Sequence, residues 1–100
     1  IEDYNQAIRL DSNYALAYNN RGIARHDLGD LEAAIEDYNQ AIRLDSNYAH
    51  AYYNRGIAYR QLGEKAKALD SFRQAATLYQ QQGRTEDYQD ARNRIRELQE

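Results

Sequence analysis

Four residue types are missing from the 100-residue chain: cysteine, proline, methionine and tryptophan. Without cysteine the chain has no disulfide framework, no thiolate zinc site and no thiol nucleophile. Without proline, and with only five glycines, it lacks the frequent breakers of a turn-rich β fold. Its apolar runs are far shorter than the roughly 20 residues that cross a bilayer, so we expect no membrane partner. These absences favour an all-α fold.

The net charge of the chain is small and negative, because 13 Lys and Arg residues stand against 16 Asp and Glu, which gives −3. Proteins that bind nucleic acid need a basic face that releases counterions from the phosphates. The one cationic cluster, within residues 84–96, is interleaved with carboxylates. We therefore expect no nucleic-acid partner. No targeting segment is recognisable, so a cytoplasmic location is the default expectation.

The sequence repeats itself with a period of 34 residues. Residues 1–15, IEDYNQAIRLDSNYA, recur unchanged as residues 35–49, and residues 1–34 match residues 35–68 at 25 of 34 positions. Such a period is typical of a solenoid of stacked helix pairs. Apolar residues keep helical spacing within each period, and a glycine suited to a left-handed helix end follows. We predict six helices, over residues 1–11, 14–28, 31–44, 48–62, 65–81 and 85–99.

Two blocks of the sequence carry the pattern of a known family. They are Tyr18-x2-Arg21-Gly22-x2-Arg25 with Ala34-x3-Tyr38, and Tyr52-x2-Arg55-Gly56-x2-Tyr59 with Ala68-x3-Phe72. These blocks resemble the tetratricopeptide repeat. The resemblance implies an all-α superhelix, a solenoid of antiparallel helix pairs with a C-terminal capping helix. Arg21 and Arg55 depart from the family pattern, which has leucine there, and Ser46 and Ser12 replace its proline.

The repeat divides the chain into four parts. Residues 1–14 are the second helix of an incomplete repeat, residues 15–48 and 49–82 are whole repeats, and residues 83–100 form the capping helix. Because the chain starts at the second helix of a repeat, we expect either a piece of a longer array or an engineered chain. The apolar stripe of the capping helix consists of Tyr88, Ala91, Ile95 and Leu98, and its other face is polar, as a solvating cap requires.

An arginine stands beside a glycine on the packed side of each first helix, and its charge needs a partner. We hypothesise a ladder of ion pairs between successive repeats, in which Arg21 meets Asp3 and Arg55 meets Asp37. Pairing within one repeat would set Arg55 against Ser71, which leaves the charge unmatched. The alternative is that each arginine stem simply extends to water.

The functional signal lies where the two near-identical periods differ. Their nine mismatches fall on one helical face and one turn, while the packing residues are copied. In the tetratricopeptide repeat family the corresponding face lines a concave groove that grips peptides, so the resemblance implies the same role here. Drift at exposed positions is the alternative explanation. The residues expected to contact a partner are Leu16, Asn19, Asn20, Ile23, His26, His50, Tyr53, Asn54, Ile57 and Arg60.

Several of these side chains suit particular contacts with a peptide. The amides of Asn20 and Asn54 can bond to an extended backbone, Tyr53 offers a flat surface, and Arg60 can pair with a carboxylate. Tetratricopeptide domains that clamp the C-terminal carboxylates of chaperones need further cations on the groove and on the third helix. Asn54 alone matches that set, so we do not expect a chaperone-tail clamp.

The sequence predicts no catalytic residue, cofactor or metal site, and we expect the chain not to be an enzyme. His26 and His50 are separated by about 15 Å along parallel helices, at 1.5 Å per residue, so they cannot share a metal ion. No phosphate-binding loop or nucleophile motif is present. The serines lie in turns or within helices.

The leading interpretation is a protein-binding scaffold whose concave groove holds a peptide segment of another protein. The rival interpretation is a structural spacer or self-assembling repeat unit without a dedicated ligand. The exposed first helix could then join two copies as a homodimer through Tyr4 and Ile8.

Overall fold

The computed structural model describes residues 1–11 and 13–99, and this part of the chain forms six α-helices joined by short turns. Ser12, at the position of the family's proline, lies outside the described residues. Each helix end lies within one residue of its predicted position. The helices are α1 (Glu2–Leu10), α2 (Ala15–Asp27), α3 (Leu31–Leu44), α4 (Ala49–Gln61), α5 (Lys65–Gln81) and α6 (Thr85–Gln99).

Glycine ends the helices that lead into the tight turns. Gly29 and Gly63 have φ of +87° and +79°, a left-handed conformation that glycine adopts without steric cost. The amide of Asp30 donates to the carbonyl of Arg25 at 2.9 Å, which closes the turn. The Asp30 carboxylate then accepts from the amide of Ala33 at 3.3 Å and caps α3. The short turns make consecutive helices neighbours, as expected for an array of helix pairs.

A second pair of glycines lets the helices of each pair approach closely. A Cβ atom at Gly22 would lie 2.6 Å from Cε1 of Tyr38, and one at Gly56 would lie 2.8 Å from Cε1 of Phe72. Both rings are almost fully buried. The rings of α3 and α5 therefore pack directly on the backbones of α2 and α4.

The larger core cluster lies toward the C-terminal end of the array. It combines Ala49 and Tyr52 of α4 with residues of α5, and Ala91 and Ile95 of α6 close it. Tyr88 and Leu98 pack against the same cluster, so the predicted stripe of the capping helix is confirmed. At the other end, α1 contributes no buried residue.

The side chain of Arg21 joins α2 to α3. Its Nε and Nη2 donate to the carboxylate oxygens of Asp37 at 3.0 and 2.7 Å, and its Nη1 donates to Oδ1 of Asn5 at 2.9 Å. Arg25 donates to the same carboxylate at 3.1 Å. The bond to buried Asp37 raises the pKa of Arg21 above its usual value. The hypothesised pair of Arg21 with Asp3 is therefore wrong, because the carboxylate partner belongs to the following helix.

The side chain of Arg55 joins α4 to α5 in the same way but meets no carboxylate there. Its Nε donates to the hydroxyl of Ser71 at 3.0 Å, its Nη1 donates to Oδ1 of Asn39 at 2.8 Å, and its guanidinium lies over the ring of Tyr52. The hypothesised pair of Arg55 with Asp37 is wrong too. Each arginine reaches 16 residues forward and 16 residues back, and the backward position is occupied by asparagine, two residues past the aspartate.

Candidate functional site

The helices α2, α4 and α6 lie on one side of the array, and we call the surface that they share the inner face. Side chains bridge these helices across gaps of more than 30 residues. Nδ2 of Asn54 in α4 donates to Oδ1 of Asn19 in α2 at 3.1 Å, and Nη1 of Arg60 lies 3.5 Å from Oε1 of Glu97 in α6. All ten predicted site residues belong to α2 or α4.

A cleft of about 190 Å³ opens on the inner face between α2 and α4. Ile23 is 39% exposed at its edge, although it is a large apolar side chain. Tyr38 of α3 is 1% exposed and also lines the cleft, and burial raises the pKa of its phenol above the ordinary value. Four predicted residues thus come together in one depression with both apolar and polar walls. The cleft is lined by Ile23, His26, Asp27, Tyr38, Asn54 and Ile57.

The junction of α4 with α6 is occupied by a polar network. The hydroxyl of Tyr53 donates to Oδ2 of Asp90 at 2.5 Å and accepts from Nε of Arg94 at 3.3 Å. Arg94 also donates to Glu97 at 2.9 Å, and Glu97 in turn meets Arg60. Burial raises the pKa of Tyr53, and its bond to Asp90 acts in the same direction. Two predicted site residues are therefore engaged by the capping helix.

Sequence reasoning missed these residues of α6, because it treated the charges of the capping helix as a solvated face. Asp90, Arg94 and Glu97 follow the spacing i, i+4, i+7, which places three side chains on one side of a helix. This spacing is the sequence signal that could have identified these three residues as part of the site. The inner face consequently includes α6.

The remaining predicted residues differ in how far a ligand can reach them. Leu16 is 45% exposed and Asn20 is half-buried. Asn19 is only 4% exposed, and its Oδ1 accepts the hydrogen bond from the side-chain amide of Asn54. His50 is exposed, and its Nδ1 lies 2.7 Å from the hydroxyl of buried Tyr79. Leu16 and His50 lie in the first turns of α2 and α4 and are not among the residues that line the cleft.

Two further properties bear on the kind of site this surface provides. Within residues 1–11 and 13–99, no three His, Cys, Asp or Glu side chains gather as a metal site would require. Over the same residues, no helix combines the length and apolar character needed to cross a membrane.

The chain resembles solved structures over nearly its whole length. The TPR2B domain of yeast Sti1, in complex with an Hsp70 peptide, has a TM-score of 0.92 and 26% identity, covering 98% of this chain and 78% of that one. The Arabidopsis OM64 TPR domain has a TM-score of 0.82 and 31% identity, covering 94% and 75%. The second TPR domain of human RPAP3, in complex with an Hsp70 peptide, has a TM-score of 0.85 and 28% identity, covering 99% and 78%.

Family models match most of the sequence, whereas no curated protein sequence matches it. A TPR repeat model matches residues 1–29 and 24–63, and a tetratricopeptide repeat model matches residues 49–82. Together they include both arginine-glycine blocks. The chain belongs to the tetratricopeptide repeat family.

Proposed function

We propose that the inner face binds a peptide segment of a partner protein, and that the cleft between α2 and α4 anchors an apolar side chain of that segment. The observation that supports this proposal most directly is the exposure of Ile23, a large apolar residue that is 39% exposed in a cleft shared with Ile57. Concave sites with mostly apolar walls and a few polar groups are typical ligand sites. Asn54 and His26 supply those polar groups here.

The structural similarities support the broader part of this proposal, a protein-interaction scaffold. The yeast Sti1 and human RPAP3 domains are both in complex with peptides of Hsp70. Each covers nearly the whole chain, so the comparison includes the inner face. The position and chemistry of the anchor are our proposal for this chain alone.

The charges of the inner face favour an apolar anchor over an acidic one. Arg94 and Arg60 are the cations at the junction of α4 and α6, and Glu97 lies within 3.5 Å of both. Asp90 adds a second carboxylate beside Tyr53. A peptide carboxylate would have to displace these internal acceptors and approach their negative charge. The expectation that this chain lacks a chaperone-tail clamp therefore stands as part of the proposal.

Peptide-display selection on the wild-type chain and two variants tests the proposal. We expect the wild-type chain to enrich a motif with an apolar anchor, and Ile23→Asp to lose it because a second carboxylate beside Asp27 replaces the apolar contact. Leu10→Asp is the matched control, since Leu10 is 78% exposed on α1, away from the inner face. Enrichment of the same motif by all three chains would contradict the proposed anchor.

The spacer interpretation predicts a different result from the same selection, with no motif enriched by any variant. It also predicts that purified chains associate. Light scattering on the wild-type chain and on a variant with Tyr4 and Ile8 made polar would detect a dimer that depends on α1. A monomer that enriches a motif would exclude the spacer interpretation.

A further inference from the structure

One carboxylate on the inner face has no cation beside it. Arg94 pairs with Asp90 and Glu97, at 3.3 and 2.9 Å. Arg60 pairs with Glu97 at 3.5 Å. Asp27, which lines the cleft between α2 and α4, forms no ion pair within the part of the chain that the structure describes. The cations at the junction of α4 and α6 are therefore matched, and Asp27 is an unmatched negative charge.

Asp27 also stands at a position that does not favour an acidic residue. It is the last residue of α2, where the helix dipole carries partial negative charge and cations are preferred. At the corresponding position α4 ends in neutral Gln61. The carboxylate of Asp27 therefore disfavours its own helix slightly, and no ion pair within the described residues compensates for it.

The hydroxyl of Tyr38 lies in the same cleft and is also available. Tyr38 is 1% exposed and no described side chain is hydrogen-bonded to its phenol. The described residues contain no enclosed side-chain oxygen that lacks a partner, so this hydroxyl opens into the cleft. Burial raises the pKa of Tyr38, and the negative charge of Asp27 raises it further. A carboxylate and a neutral phenol thus act on the same small volume.

The spacing of the cleft residues fits an extended segment. Ile23 and Asp27 lie one turn apart on α2, about 6 Å along its axis, and alternate side chains of an extended chain are about 6.6 Å apart. Asn54 uses its Nδ2 to donate to Asn19, so its Oδ1 remains able to accept a backbone N–H of the segment. In a bound helix those N–H groups would already be used within the helix.

We propose that the segment bound on the inner face is extended and carries a lysine or arginine two positions from its apolar anchor, and that this cation pairs with Asp27. The inference rests on the proposed function, because the anchor beside Ile23 sets the register of the segment. The cation donates to the carboxylate of Asp27, and the phenol oxygen of Tyr38 can accept a second hydrogen bond from it. The partner class is thus a basic, partly apolar peptide.

The charges around the cleft exclude the opposite choice. An acidic residue at this place in the segment would face both Asp27 and the negative end of the α2 dipole. A neutral residue would leave the carboxylate unmatched. Only a cation relieves the unfavourable charge at the end of α2, so binding of a basic segment gains from a feature that the free chain carries at a cost.

The peptide-display selection distinguishes this inference from the proposed function. We expect the motif that the wild-type chain enriches to contain lysine or arginine two positions from the apolar anchor. A motif with the anchor but without a basic residue there, lost by Ile23→Asp, would overturn the inference and leave the proposed function standing. A selection in which Ile23→Asp keeps the wild-type motif would overturn both.

Asp27→Asn removes the charge and keeps the shape. We expect the most enriched peptide, with blocked ends and a fluorescent label, to bind this variant about fivefold more weakly in an anisotropy titration, as for an exposed ion pair. Replacing the basic residue of the peptide by glutamine should weaken binding to the wild-type chain equally, and should not weaken binding to Asp27→Asn further.

Glu36→Gln is the matched control, because it makes the same charge change at an exposed position of α3. Glu36 is two residues from Tyr38, so it lies on a different side of that helix from the ring that lines the cleft. We expect Glu36→Gln to leave binding unchanged. Equal weakening by Asp27→Asn and Glu36→Gln would overturn the inference, because only the overall charge of the chain would then matter.

Charge reversal and thermal unfolding complete the experiment. A peptide in which glutamate replaces the basic residue should bind Asp27→Lys more tightly than the wild-type chain. Both Asp27 variants should unfold at or above the Tm of the wild-type chain, because each removes a carboxylate from the C-terminal end of α2. A lower Tm for Asp27→Asn would overturn the inference by assigning Asp27 to the fold. So would equal binding of the basic and glutamine peptides to the wild-type chain.

Discussion

Residues 15–48 and residues 49–82 place the same arginine in the same position and surround it differently. Arg21 meets a buried carboxylate, Asp37, at 2.7 and 3.0 Å, whereas Arg55 meets a hydroxyl, Ser71, at 3.0 Å. Both arginines also donate to an asparagine of the preceding helix and lie over a tyrosine ring. The first repeat thus joins its two helices through charge, and the second repeat does so with one neutral acceptor.

The second repeat has the larger apolar cluster. Phe72 is fully buried there, and the ring of Tyr53 meets it edge to face with centroids 5.4 Å apart. Tyr79, 2% exposed, and the capping helix extend the same cluster. In the first repeat the cluster around Tyr38 is smaller. The comparison teaches that one architecture can hold a helix pair together by a buried ion pair or by a larger apolar core.

Removing the acceptor of the arginine from each repeat in turn should give the largest difference in the free energy of unfolding. Asp37→Ala strands Arg21 and Arg25 in a half-buried site, so we expect a loss of about 3 kcal/mol in the free energy of unfolding. Ser71→Ala removes one hydrogen bond to Arg55, so we expect a loss of about 1 kcal/mol. Chemical denaturation followed by far-UV circular dichroism measures both. Equal losses would show that the carboxylate contributes nothing beyond the hydroxyl.

Transferring the ionic arrangement to the second repeat should have a smaller effect. Ser71→Asp supplies the carboxylate, and Tyr59→Arg supplies the second donor that Arg25 provides to Asp37. Each single change is unfavourable, because it buries a charge with too few partners or removes a packed ring. The double-mutant cycle should give a favourable coupling energy of about 1 to 2 kcal/mol. Additive effects of the two changes would mean that the arrangement depends on features of the first repeat alone.

The smallest effect concerns the hydroxyl that distinguishes Tyr38 from Phe72. Burial raises the pKa of Tyr38 above its ordinary value of 10.0, so the folded state disfavours the phenolate. This contribution is complete below pH 10 and is lost as the pH rises toward the folded pKa. We expect the free energy of unfolding to fall above about pH 10, and Tyr38→Phe to recover about 1 kcal/mol at pH 11.

Denaturation at several alkaline pH values measures this slope. Tyr14→Phe, at an exposed tyrosine, is the control and should keep the slope of the wild-type chain. An unchanged slope in Tyr38→Phe would contradict the prediction. Burial also raises the pKa of Tyr79, which accounts for part of the slope that remains.

The sequence was sufficient for the helices because their signals are local. The apolar spacing of α1 and α2 recurs in α3 and α4, a glycine follows each of α2, α4 and α5, and each helix end was predicted to within one residue. The partners of the arginines could not be predicted in this way. Arg21 lies 16 residues from Asp37 and 16 residues from Asn5, so sequence distance does not distinguish the following helix from the preceding one. The rotation of each helix decides which side chain faces the guanidinium.

The same limit applies to the candidate site. The mismatches between the periods indicated α2 and α4, and four of the predicted residues line one cleft. The mismatches could not indicate α6, because the capping helix has no near-identical copy for comparison. Asp90 and Glu97 therefore entered the inner face only through the structure, which brings them to Tyr53 and Arg60.

By itself, the sequence determined the period, the six helices and their glycine ends, because spacing and local backbone preference are properties of neighbouring residues. The tertiary structure decided which acceptor each arginine meets, that the capping helix completes the inner face, and that one of two identical segments is covered while the other is open. Those outcomes depend on contacts between distant helices, and identical segments carry no information about which of them has a neighbour.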